Sequence, residues 1–312
     1  IPIGYVLHKL NGDVIELNKE AYKIFGFNKI LDPGNLNIER DIFSNSNSYK
    51  EWMQLLKYNK RLIDQKIIIR NTSGEAMITN VNLSLIESED GEEIVQAIFT
   101  DVTNDQSSKR LIDHTLKLYE FADGHSAEEL LNNGVDLAES LLNSEMAFLH
   151  EVDAKGLAVK KTIWSTRVKN AVKNTEILSA YPLKNAGIWL ECLTAQKPVR
   201  FNNYITEADK KGMPKGYVPV ERILAVPISE AGRVKAIAVV ANKKFVYNDL
   251  DTEQLSAFAH VWWANVERKR QQEQEQFNQQ LLTLSQKLAK LGTWSYNLKT
   301  GKLSWTDELY QI

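Results

Sequence analysis

The sequence contains a single cysteine, Cys192, among its 312 residues. One thiol excludes an intrachain disulfide and any metal site built from several cysteines. Long apolar runs are also missing. None approaches the roughly 18 residues that a membrane-spanning helix needs, so no direct membrane contact is expected of this chain. Neither sign of charge dominates: 38 Lys and Arg stand against 40 Asp and Glu, a net charge of -2. That balance gives no ground for nucleic-acid binding. The five histidines do not form the H-E-x-x-H pair of a metal helix. Glycine-rich phosphate loops, the Gly-x-Ser-x-Gly elbow and the cyclase signature Gly-Gly-Asp/Glu-Glu-Phe are absent as well. No nucleophile–base pair can be read, so no catalytic residue is assigned and the chain is not expected to be an enzyme. A signal peptide is not visible. The chain starts at Ile1 and is expected to be a cytoplasmic piece of a longer protein.

What is present is an ordinary globular mixture, 43% hydrophobic and 25% charged, long enough for two domains. Strands are predicted at 5–9 and 14–17, joined by a turn at Asn11, Gly12 and Asp13. Asn18 is placed to cap a helix carrying Ala21, Ile24 and Phe25, which Gly26 ends. Strands at 65–70, 77–86 and 94–101 follow. A hairpin, helices and a three-strand meander imply an antiparallel sheet with helices on one face. A connecting helix is predicted over 107–122. Ser126 and Glu129 then form a capping box for a helix at 127–142. Hairpins are predicted at 146–152 with 157–164 and at 223–229 with 234–242. Between them lie a short helix at 183–195 and a strand entry at 197–201. A long helix starts near Asp251.

Gly12, Asn18 and the run from Tyr22 to Gly26, together with the closing stretch Ala97 to Thr103, resemble a PAS domain. The second segment is similar to GAF domains that accompany PAS domains in bacterial and archaeal sensor histidine kinases. The resemblance is carried in order by Tyr181, Pro182 and Leu183; Ala186, Gly187, Ile188 and Trp189; Lys197, Pro198 and Val199; and Asn202, Asn203 and Tyr204. It continues through Lys211, Gly212, Pro214, Gly216, Val218 and Pro219, then Val226, Pro227 and Ile228, and ends with Val240 to Lys243. Ala180 and Tyr217 stand where histidines often occur in that pattern. Leu291 to Tyr296, Gly301 to Leu303 and Trp305 to Tyr310 resemble the opening of a second PAS domain, an internal repeat of the first module. The expected fold class is α+β. Its parts are a PAS-like domain at 1–105, a linker helix at 106–118, a GAF-like domain at 119–268, a coiled-coil-type signalling helix at 269–291 and a truncated second PAS start at 292–312.

The resemblance implies a ligand cavity in the second domain. Phe148, His150, Trp164, Tyr181, Trp189, Cys192 and Tyr204 are its candidate lining, an aromatic wall with a few polar tips that suits a small planar or apolar molecule. His150 alternates with Phe148 and Val152, so it faces either a pocket or a satisfied core. Some GAF domains hold haem or a bilin through cysteine. The lone Cys192 is read instead as a small buried residue, and no cofactor is assigned. In the first domain Trp52, Leu55, Tyr58, Ile68 and Phe99 are the candidate cavity lining. His8, on the first strand, is the one histidine there and is a poor haem ligand. His114 beside Asp113 lacks the surroundings of a phosphoacceptor, and His260 is read as helix surface. Lys210, Lys211 and Lys215 lie in a loop that either clamps an anion or is simply solvated.

An apolar stripe runs through Leu255, Phe258, Trp262 and Val266. After a polar stretch it resumes at Phe277, Leu281, Leu284, Leu288 and Leu291, with the 4-3-4-3 spacing of a coiled-coil seam. Two apolar grips are expected, one on the second domain and one on a partner helix in a homodimer. Arg270 and Glu273 fall in the poorly committed stretch between them. The expected function is sensory input to a downstream kinase transmitter, with a small molecule in the GAF or PAS cavity. The alternative is a ligand-free dimerisation scaffold.

Overall fold

The structure is a computed structural model that describes residues 3–27, 32–43, 46–71, 74–88, 90–153, 158–171, 189–204, 219–289, 294–296 and 298–305.

The first domain opens with strands β1 (Ile3–Lys9) and β2 (Val14–Leu17). Gly12 makes their turn with a φ of 90°, a conformation that costs glycine nothing. Helices α1 (Lys19–Ile24), α2 (Ile38–Asp41) and α3 (Ser46–Asn59) follow. Asn18 caps α1 as expected. Its Oδ1 accepts from the Ala21 N–H at 2.9 Å and from the Tyr5 N–H at 3.0 Å, while its amide donates to the Ile3 carbonyl at 3.0 Å. One side chain thus starts the helix and ties it to β1. Strands β3 (Arg61–Arg70), β4 (Ala76–Glu87) and β5 (Glu93–Asp101) complete an antiparallel sheet of order β2-β1-β5-β4-β3.

Val6, Val81, Val95 and Phe99 point from this sheet onto Ala21, Ile24, Phe25, Ile38 and Leu56. Phe99 and Phe25 meet edge to face at 5.1 Å. Three of the five cavity candidates do not face this core. Leu55 is 49%, Tyr58 88% and Ile68 44% exposed. The buried face of α3 runs instead through Tyr49, Met53 and Leu56, a helical stripe that Leu55 and Tyr58 miss. In β3, a bulge between Leu62 and Gln65 changes the strand's parity, so Ile69 is buried and Ile68 faces outward. Trp52 is partly buried against the core. Between Val6, Phe25, Ile38 and their neighbours lies a void of about 10 Å³, room for roughly one water. His8 is buried beside Tyr49. Its Nδ1–H donates to the Lys9 carbonyl at 2.8 Å, and burial pulls its pKa down to about 4.

Helix α4 (Thr103–Ala122) leaves β5 directly. Its first turn is bonded to β4: the Ile78 N–H donates to the Thr103 hydroxyl at 2.9 Å and the Val102 N–H to the Ile78 carbonyl at 2.9 Å. The helix expected as a linker is built into the second domain, where His114, Leu118 and Ala122 are buried. His114 uses both ring nitrogens, toward the Arg110 carbonyl at 2.8 Å and the Ser140 hydroxyl at 3.0 Å.

The second domain continues with α5 (Ala127–Leu141), capped by the Ser126/Glu129 box. Strands β6 (Met146–Val152), β7 (Val159–Trp164), β8 (Val199–Phe201), β9 (Ile223–Glu230) and β10 (Arg233–Ala241) form an antiparallel sheet of order β7-β6-β10-β9-β8. Counted within each domain, this is the strand order of the first sheet. Short helices α6 (Thr166–Ala171) and α7 (Trp189–Ala195) lie between β7 and β8.

The 41-residue helix α8 (Asp249–Ala289) packs with α4 and α5 on one face of the sheet through Leu255, Phe258, Trp262 and Val266. Its start is fixed by reciprocal 3.0 Å bonds between Asn248 and Asp251, and by a buried ion pair of Lys243 with Asp251 at 2.6 Å. Trp262 packs against α5 and donates to the Leu130 carbonyl at 3.1 Å. Gly134 makes room for it: a Cβ there would come within 2.0 Å of Trp262 Nε1. Further along, Phe277, Leu281, Leu284 and Leu288 are exposed, and Leu291 lies outside the described residues. Strands β11 (Trp294–Tyr296) and β12 (Leu303–Trp305) form an exposed two-stranded hairpin. Among the described residues no helix is long and apolar enough to cross a membrane.

The two domains touch at the loop that leads into α8. The Arg70 guanidinium, at the end of β3, sits 5.1 Å from the centroid of the buried Phe245 ring.

Candidate functional site

The alternation of β-strand side chains gives the second sheet two unlike faces. Ala147, Leu149, Leu224, Val226, Ala238 and Val240 meet the three helices. Met146, Phe148, Val152, Trp164, Ile223, Ala225, Ile237 and Val239 turn to the opposite face, with Cys192 of α7 and Tyr204 packed over them. The sequence-predicted lining converges here: Phe148, Trp164, Cys192 and Tyr204 share one cluster, and His150 lies between Phe148 and Val152 on the same side of β6. Tyr181 and the Trp189 side chain lie outside the described residues, as do Lys210, Lys211 and Lys215.

The register sets the geometry. Phe148 pairs with Trp164 on β7 and Val239 on β10, and His150 pairs with Thr162 and Ile237. Ring centroids of Phe148 and Trp164 are 4.6 Å apart, and those of Phe148 and His150 4.8 Å. His150 shares a 2.9 Å hydrogen bond with the Thr162 hydroxyl through Nδ1. Fully buried, it has a pKa pulled down to about 3, so the imidazole is neutral at physiological pH and can act as a donor or an acceptor. Burial also pushes the Cys192 thiol up to about 12, so the sulfur is a packed thiol and not a thiolate nucleophile. The Tyr204 phenol is raised by burial too. Its hydroxyl is buried with no hydrogen-bond partner among the described residues, a state that costs about 1–3 kcal/mol unless it is met. The chemistry this face offers is aromatic stacking and hydrogen bonding by neutral groups. Among the described residues no cluster of His, Cys, Asp or Glu could hold a metal ion.

Sequence reasoning missed the residues behind this surface. Glu151, next to His150, points the other way and is 4% exposed. It forms an ion pair with Arg270 of α8. Arg270 also bonds Glu267 at 2.8 Å and lies 5.4 Å from the Trp263 ring centroid. Glu273 accepts from the Ala127 N–H, at the start of α5, at 2.8 Å. The polar stretch of α8, expected to be weakly committed, is therefore bonded to the domain at two points. The available signal was a carboxylate in an otherwise buried strand, which requires a partner.

Residues 124–267 match the GAF domain family, and this segment is a GAF domain. Over 151 residues, 48% of this chain, the sequence is 29% identical to the methyl sulfide methyltransferase-associated sensor of Methanosarcina acetivorans; the match spans 15% of that protein. Among solved structures, the GAF domain of an Acinetobacter phosphoenolpyruvate-protein phosphotransferase is similar at 12% identity and a TM-score of 0.43, covering 53% of this chain and 95% of that one. The chromophore-binding domain of an unusual bacteriophytochrome from R. palustris is similar at 7% identity and a TM-score of 0.39, covering 86% of this chain and 94% of that one.

Proposed function

We propose that this chain is the sensory input region of a multidomain cytoplasmic signal-transduction protein, a histidine kinase whose transmitter lies outside the chain. A small molecule binds the aromatic face of the GAF domain, and α8 carries the resulting change along a homodimer. The observation that carries this reading is the two-faced sheet: one strand, β6, presents Phe148 and His150 to the aromatic face and touches the long helix with the other. The relative named as a sensor supports it. The PAS-like reading of residues 1–105 is supported by the five-stranded antiparallel sheet and its helices. Pairing of α8 with a second copy as a coiled coil is supported by the stripe Phe277, Leu281, Leu284 and Leu288, left exposed on a helix that would gain stability from a partner. The chain acts by binding and population shift rather than by turnover.

Two measurements test this reading. A thermal-shift screen of small molecules should give hits whose shifts vanish in Trp164→Ala and shrink in Tyr204→Phe; hits indifferent to both would move the site elsewhere. Sedimentation equilibrium should show a dimer that Leu281→Asp with Leu284→Asp splits. A monomer at high micromolar concentration would remove the dimeric relay. A dimer with no ligand hit would leave a ligand-free scaffold.

A further inference from the structure

The question left by a ligand face and an output helix on opposite sides of one sheet is which contact joins them. His150 and Glu151 are neighbours on β6 and point to opposite faces, so a displacement of the strand at the aromatic face moves the Glu151 carboxylate by the same step. That carboxylate is buried against the helices, and the Arg270 guanidinium is its bonded cation. Lys161, across from Glu151 on β7, is engaged by Glu128 of α5. Arg270 serves two carboxylates at once, Glu151 on the sheet and Glu267 on its own helix. It also covers the ring of Trp263, whose buried indole N–H has no hydrogen-bond acceptor among the described residues. Packing and the guanidinium therefore set that ring's position. Beyond Glu273, no hydrogen bond or ion pair joins α8 to the domain among the described residues.

We propose that the cluster of Glu151, Arg270 and Trp263 is the contact through which the state of the aromatic face reaches α8. It has two discrete arrangements. In one, Arg270 bridges sheet and helix, as here. In the other it keeps Glu267 alone, and the helix beyond residue 270 is released. A direct, partly buried ionic contact suits this role because it is made or broken rather than gradually stretched.

The proposal rests on the sensing reading for its purpose, but its test needs no ligand, so either can fail alone. The perturbation is Phe148→Leu, a change confined to the aromatic face. The readout is hydrogen exchange of α8 amides at 271–282 in the full chain. With the native cluster, Phe148→Leu should speed this exchange more than about threefold, beyond the near-additivity expected of residues that do not touch. In the background Glu151→Met with Arg270→Met, which removes both charges and leaves neither buried alone, the same change should have no effect. A Glu151→Gln with Arg270→Gln background, retaining polarity without charge, serves if the methionine pair fails to fold. Equal responses in native and altered backgrounds, or no response in either, would overturn the proposal. Loss of ligand shifts in the screen above would leave it standing.

Discussion

The buried imidazole of His150 makes the GAF domain acid-sensitive by an amount that can be worked out. Its pKa falls from 6.5 to about 3 on folding because burial disfavours the charged ring. A group whose folded pKa is depressed contributes stability that is present above its unfolded value. That stability is lost as pH drops, because the unfolded chain takes up the proton and the folded one does not. The window therefore opens near pH 6.5 and closes near 3. From pH 8 to pH 5 the unfolded chain gains about 1.5 pK units of protonation free energy, or about 2 kcal/mol. The figure holds for any folded value below about 4. The perturbation is His150→Asn, which can keep a hydrogen bond to Thr162 but does not titrate. The assay is urea unfolding at several pH values between 8 and 5, followed by tryptophan fluorescence. Trp164, Trp189, Trp262 and Trp263, four of the chain's seven tryptophans, lie in this domain. The variant should be less stable at pH 8, because the imidazole volume is lost, but its pH slope should be shallower. The gap between the two proteins should close by about 2 kcal/mol at pH 5. His8 and His114 are also lowered by burial, but they titrate in both proteins and cancel. Parallel slopes would refute the reasoning and mean that His150 is solvated or charged in the fold.

Gly134→Ala should destabilise the second domain by about 2 kcal/mol or more and shift tryptophan emission to the red, because the new methyl group displaces Trp262. Helix propensity alone predicts the opposite sign, a gain of about 1 kcal/mol, so a calorimetric scan decides between them. Lys243→Met should cost about 3–5 kcal/mol, since it strands the buried Asp251 carboxylate. Asp249→Ala removes the far more exposed pair with Arg200 and should cost less than about 1 kcal/mol by the same denaturation assay. Cys192 in the native chain at pH 8 should react with iodoacetamide at least about a thousandfold more slowly than in urea, because both the raised pKa and burial suppress thiolate attack. Comparable rates would place the thiol at the surface.

The outline of the fold was legible wherever local chemistry decides. The turn at Gly12, the caps at Asn18 and Ser126, and the alternating strands all follow from residues within a few positions of one another. The aromatic face was legible too, because Phe148, Trp164 and Tyr204 lie in the segment that resembles a GAF domain and alternation places Phe148 and His150 together. Parity in β3 was not legible: Ile67, Ile68 and Ile69 are three apolar residues in a row, and only a bulge a few residues upstream selects the inward one. The phase of α3 was not legible either, because Leu55 is as apolar as the adjacent Leu56, and only the packed sheet selects the face of Tyr49, Met53 and Leu56. Nor could the sequence reveal the pairing of Glu151 with Arg270, whose partners are 119 residues apart, or that α4, bonded to β4 at its first turn, is also packed into the core of the second domain.

The bonded first turn of α4 also bears on what kinds of change this chain can accept. Thr103 and Val102 are held by Ile78 of the first sheet, while the Gln254 amide of α8 grips the Ser107 carbonyl at 2.6 Å. The two attachments are about one helical turn apart, so their angular relation is fixed by residue count. Inserting or deleting one residue between them would swing the helix by about 100° and unseat Leu118 and His114 from the second core. The join should therefore be permissive of substitution and intolerant of insertions and deletions. Length, more than residue identity, would be the property on which selection acts there.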